Sequence, residues 1–125
     1  MYLFIIRGLP GSGKDAIAHK LVVNVYTNGQ GAGHGWNTAK LICESNARLS
    51  LHSGRSCAVA NPFIHGKDIQ PYAEMAAKMD AQLIVVDLYD GGYSDEVLSR
   101  RSGLSQTAIA RMRAEYEHDW RNSGV

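Results

Sequence analysis

The apolar positions of the chain fall into short unbroken runs that alternate with helical stripes. Tyr2-Leu3-Phe4-Ile5-Ile6 is the first run, and its continuity predicts a buried strand over about residues 2–8. Ile17, Leu21 and Val25, spaced i, i+4, i+8, predict a helix over residues 14–25, with His19 and Lys20 off its apolar stripe. Leu41, Ile42, Ser45 and Leu49 share one face of a second helix over residues 37–53, and Gly54 stands where it would stop. Ser56 to Ala60 reads as a short strand of small residues, broken by Asn61-Pro62. Asp68 is placed to cap a third helix, with Pro71 in its first turn and a core stripe at Tyr72, Met75, Ala76 and Met79. Gln82 to Leu88 is the third convincing strand, and its run Leu83-Ile84-Val85-Val86 suits burial on both faces of a parallel sheet. A loop at Asp90-Gly91-Gly92 leads to a short basic-ended helix at 94–101. Ser105 caps the last helix, with Leu104 and Ile109 stapling across the cap. Ile109, Met112, Tyr116 and Trp120 carry its apolar face, and Arg111, Arg113, Glu115 and Glu117 read as a solvated side.

Strands alternating with helices predict an α/β fold: a parallel sheet, three layers deep, with helices on both faces. The 125 residues suffice for a single domain, 1–125, around one core. A net charge of +1 gives no broad basic field, so any nucleic-acid contact needs a local patch. No apolar run approaches the ~20 residues of a membrane span. The chain opens directly on its first apolar run, which leaves no room for a signal peptide, and the expected location is the cytoplasm. Cys43 and Cys57 have no partner motif and read as reduced, buried small residues.

Chemistry concentrates between the first strand and the first helix, at Gly8-Leu9-Pro10-Gly11-Ser12-Gly13-Lys14-Asp15. In that context G-x-x-x-x-G-K reads as a phosphate-binding loop, or P-loop. Its glycines allow tight turns that point successive N–H groups at one anion, and the helix N-terminus adds further donors. Lys14 would place a point charge on the terminal phosphates. The motif normally ends in Ser or Thr, whose hydroxyl ligates Mg²⁺; here Asp15 takes that place. A carboxylate binds hard cations, so Asp15 is the candidate metal ligand, although it sets negative charge beside a polyphosphate. The plainer alternative is a glycine turn before a helix, with Asp15 as a favourable first-turn residue. Residues 29–35, Gly-Gln-Gly-Ala-Gly-His-Gly, read either as a flexible, mobile connector or as a second loop that meets a ligand through its backbone, with His34 at its centre.

Three pieces in order carry a resemblance. They are Arg7 to Lys14; Val59-Ala60-Asn61-Pro62-Phe63 followed by Pro71-Tyr72 and Ala76; and Leu98-Ser99-Arg100-Arg101-Ser102 followed by Ile109-Ala110-Arg111-Met112. Together they resemble the phage and bacterial polynucleotide-kinase-like P-loop kinases, in the zeta-toxin and polynucleotide-kinase group, over nearly the whole chain. The resemblance implies a shortened P-loop NTPase-like fold. It also implies binding of ATP or another nucleoside triphosphate by Gly8 to Asp15, with Mg²⁺. Lys14 would hold the β/γ phosphates, and a lid arginine, Arg100 or Arg101, would close over them. The departures point to lost or impaired phosphotransfer. The family's P-loop Ser/Thr is Asp15, an acid at the end of its next strand falls on Ala60, and the carboxylate base on the acceptor hydroxyl has no counterpart. Asp15 or Asp87 would then have to hold the metal.

Two functions follow. One is an ATP-dependent kinase acting on a nucleic-acid 5′ end, a nucleotide or another hydroxyl. The other is a kinase-derived, phage-encoded protein without turnover that binds and inhibits a host protein in the host cytoplasm. Gln30, His34 and Trp36 are the candidate contact surface for the second.

Overall fold

The computed structural model describes residues 1–28 and 35–123. The expectations for Gln30 and His34 lie outside the described residues. The elements run β1 (Tyr2–Gly8), α1 (Lys14–Leu21), β2 (Asn24–Tyr26), α2 (Trp36–His52), β3 (Cys57–Asn61), α3 (Gln70–Lys78), β4 (Gln82–Tyr89), α4 (Asp95–Ser102) and α5 (Gln106–Glu115). The four strands form one parallel sheet in the order β2-β3-β1-β4. β1 is central because it is apolar on both faces. Leu3 and Ile5 pack with Cys57 and Val59 under α2 and α3, while Ile6, Ala58 and Ala60 pack on the other side against Ala18 of α1. The expected three layers, with the three anticipated strands adjacent, are therefore present.

Four local expectations are corrected. The first helix ends at Leu21, and Val25, assigned to its stripe, is the centre of β2, paired with Ala58. The i+8 spacing imitated a helix; pairing with β3 decided otherwise. The buried face of α2 is Ala39, Cys43, Ala47, Ser50 and Leu51, whereas Leu41 and Leu49 are exposed. Small residues win that face because they let the helix lie close to the sheet. β4 is an edge strand and only half-buried: Leu83 and Val85 pack on the α2–α3 side, Val86 and Leu88 on the α1 side, and one edge is unpaired. Asp68 does not cap α3. It closes a 3₁₀ turn, Gly66–Asp68, by accepting from the His65 N–H.

The C-terminal third sits at the carboxyl ends of the strands. Leu9, Leu98, Ile109 and Tyr116 form a separate small core there. Ser94 and Ser105 cap α4 and α5 by accepting from the N–H groups of Val97 and Ala108. Trp120 departs from the expected helix face: α5 stops at Glu115, and Trp120 packs against the α2–α3 core. Arg113, read as solvated, is a tie-bar. It donates to Asp95 and Asp90 at 2.7 Å each, and to the Tyr89 hydroxyl and Tyr93 carbonyl at 3.1 Å. The Arg113 hydrogen bond, with help from the Gly92 N–H, holds the Asp90 carboxyl below its ordinary range.

Candidate phosphate-binding loop and its cleft

Neighbouring strand ends hold the loop that follows β1. The Gly8 N–H donates to the Pro62 carbonyl (3.3 Å), the Leu9 N–H to the Tyr89 carbonyl (2.7 Å), and the Ser12 N–H closes the turn on the Leu9 carbonyl (3.0 Å). Gly11 and Gly13 take φ of 86° and 104°, a region closed to most side chains. The first bond of α1 runs from the Ile17 N–H to the Gly13 carbonyl. The N–H groups of Gly13, Lys14, Asp15 and Ala16 therefore have no acceptor within the helix. Lys14 Nζ folds back to donate to the Leu9 carbonyl at 3.0 Å, bringing its charge over the glycines. Burial lowers its pKa from 10.5 to about 8, against the opposing pull of Asp15.

One flank of the loop is packed shut. A Cβ on Gly11 would lie 2.9 Å from the Leu98 carbonyl oxygen, and one on Gly91 would lie 2.6 Å from that of Ser12. Arg101 reaches the loop, but Nε donates to the Gly11 carbonyl at 2.6 Å while the guanidinium stacks 4.5 Å from the Tyr93 ring centre. It braces the loop backbone. Arg100 is exposed on α4 and has no ion pair among the described residues. Gly11→Ala should thus combine backbone strain with a clash against Leu98, destabilising the protein by about 2–3 kcal/mol. Gly13→Ala, which meets nothing within 4 Å, should bring strain alone. Chemical denaturation of the two variants should rank them in that order; equal losses would mean that α4 does not press on the loop.

The other flank opens into a cleft of about 620 Å³ bounded by Pro10, Lys14 and Asp15, the ends of β2 and β3, the start of α2 and one face of α5. Trp36, 69% exposed, stands at its margin, and Lys40 and Arg111 line it. Asn61 at the end of β3 is tied to Asn28, whose N–H it accepts at 2.8 Å. Tyr72 also lines the cleft. Its hydroxyl is buried against the Cys43 thiol, and burial, with that contact, pushes its pKa up.

Asp15 is exposed in the first turn of α1, and no group of three His, Cys, Asp or Glu suited to a metal occurs among the described residues. Ala60, one residue before the end of β3, has no oxygen in its side chain. Asp87 is engaged: Oδ2 accepts from Arg7 Nη1 at 3.0 Å, and Oδ1 accepts from the Tyr116 hydroxyl and the Tyr89 N–H. That bond, after burial, pushes the Tyr116 hydroxyl's pKa up.

Sequence reasoning missed Arg7, Lys40, Arg111 and Tyr72. Two signals were available. Trp36 and Lys40, like Arg111 and Glu115, are spaced i, i+4 and so share a helix face toward one cleft. Arg7 carried none, since its partners lie 56 to 80 residues away.

No known protein family matches the sequence. Solved structures share the fold, among them the following two. A candidate kinase from Chloroflexus aurantiacus superposes with a TM-score of 0.67 at 16% identity, covering 93% of this chain and 78% of that one. A chain of the Pnkp1/Rnl/Hen1 RNA repair complex gives a TM-score of 0.69 at 14% identity, covering 97% of this chain and 45% of that one. The chain thus has a kinase-like fold and spans less than half the length of the second. No helix among the described residues is long and apolar enough to cross a membrane.

Proposed function

We propose that the protein is a nucleotide-binding P-loop protein, related to polynucleotide 5′-hydroxyl kinases, in which phosphotransfer is lost or strongly impaired. ATP or another nucleoside triphosphate is the ligand that the resemblance implies. The observation that carries the reading is the loop itself: left-handed glycines, helix-start N–H groups without acceptors, and Lys14 folded over them. An anion there meets backbone dipoles and one ammonium, with no need for a metal. The kinase-like fold supports the reading, and so does the order of the sequence pieces. The alternative, a kinase-like protein without turnover that binds a host protein, draws on the exposed Trp36 ring.

Lys14→Ala should abolish the thermal stabilisation that millimolar nucleotide or pyrophosphate gives the wild type. Absence of any such shift in the wild type would defeat the binding claim. The pH dependence follows from the buried amine. A bound anion favours the charged form, so the Lys14 pKa in the complex lies above its free value of about 8. Affinity is then greatest below that value. It falls as pH rises through it, by up to about tenfold per unit until the complex titrates in turn. Calorimetry on either side of pH 8 checks this; a flat profile would mean that the Lys14 charge does not reach the anion.

A further inference from the structure

We infer that the cleft beside the P-loop takes the nucleoside of a 5′-mononucleotide whose single phosphate sits in the loop. This rests on the P-loop reading above and narrows its ligand. The cleft's volume, about 620 Å³, falls within the roughly 300–1,000 Å³ of small-molecule sites. It opens on the Lys14 side of the loop, whereas α4 and the Asp90–Gly92 turn close the opposite side at Gly11 and Ser12. A ligand whose phosphate meets the loop therefore has room for its body on the cleft side.

Charge selects the class. Beside the loop the cleft sets Lys14, Lys40 and Arg111 against Asp15, Asp68 and Glu115, so the cations are matched by carboxylates. That balance suits one phosphate carrying an uncharged body. It disfavours a triphosphate or a polynucleotide, whose further charges would meet Asp15 and Glu115. Trp36 presents a largely exposed ring at the margin, and a base gains by stacking on such a face.

The test is titration of the full chain, without Mg²⁺, by AMP, ATP, pyrophosphate and a 5′-phosphorylated dinucleotide. Calorimetry is one readout. Trp36 fluorescence in a Trp120→Phe background is the other. AMP should bind at least as tightly as ATP and quench Trp36. Trp36→Ala should lower the affinity for AMP relative to pyrophosphate about tenfold. Suppose that pyrophosphate binding depends on Lys14 but ATP binds tenfold tighter than AMP, or Trp36→Ala leaves the AMP-to-pyrophosphate ratio unchanged. The inference then fails and the P-loop reading stands. Tighter binding of the dinucleotide than of AMP would also overturn it, making a chain end the ligand. If no phosphate compound binds in a Lys14-dependent way, both readings fall together.

Discussion

Replacing Arg7 by Met is expected to destabilise the protein by about 2–4 kcal/mol and lower Tm by roughly 10 °C. Arg7 is fully buried at the end of β1. Its Nε and Nη2 donate to the Phe63 carbonyl at 3.1 and 2.7 Å, its Nη1 pairs with Asp87, and its guanidinium lies 4.2 Å from the Tyr116 ring centre. One side chain thus joins β1 to the turn after β3, to β4 and to the segment that follows α5. Removing it leaves a carbonyl and a carboxylate without their donor. Breaking a buried pair ordinarily costs about 3–5 kcal/mol. The Asp87 side chain is 31% exposed, so water recovers part of that. Asp87→Asn keeps an acceptor for Arg7 and should cost less than Arg7→Met. Urea denaturation of both variants checks the ranking. A loss below about 1 kcal/mol for Arg7→Met, typical of an exposed ion pair, would show the network to be incidental.

Phosphotransfer from ATP to a 5′-hydroxyl oligonucleotide should be very weak or absent, at least about 10³-fold below the ~1–100 s⁻¹ of ordinary kinases. The resemblance calls for a P-loop hydroxyl, a strand-end acid and a carboxylate base. This chain offers Asp15, Ala60 and no counterpart for the third. Asp87, which could have stood in for the acid, is committed to Arg7 and Tyr116. Each loss removes part of the charge stabilisation or hydroxyl activation on which phosphoryl transfer depends, and such losses within one site need not add. Asp15→Ser should raise affinity for Mg²⁺-nucleotide without restoring turnover, since the base is still missing. Label transfer from γ-labelled ATP, with Lys14→Ala as control, decides the matter. Lys14-dependent turnover in the ordinary range would mean that another carboxylate of the cleft has assumed the lost roles.

The features legible in the sequence were those encoded locally. Continuous apolar runs marked β1, β3 and β4, and glycine spacing with Lys14 marked the loop between β1 and α1. What was hidden depends on partners distant in sequence. β2 is three residues long, too short for an alternating pattern, and becomes a strand only by pairing with β3. On α2 the eye falls on Leu41 and Leu49, yet they are 61% and 64% exposed, because the sheet accepts alanine and cysteine at close range. Arg7 and Arg113 look like ordinary charged residues until the fold brings Asp87 to one and Asp90 and Asp95 to the other.

The parallel register also fixes the order in which a nascent chain can acquire its sheet. Leu3 pairs with Cys57 and Tyr2 with Gln82, so no neighbouring strands form a hairpin among the described residues. At about 5–20 residues per second of synthesis, β1 waits roughly 4–16 s for β4 to be made. Throughout that interval Leu3-Phe4-Ile5-Ile6, a run without a charge, has no native strand on its β4 side. It is the segment most open to a chaperone or to another newly made chain. The yield of folded protein should accordingly respond to translation speed between residues 57 and 89 more than to changes within β1 itself.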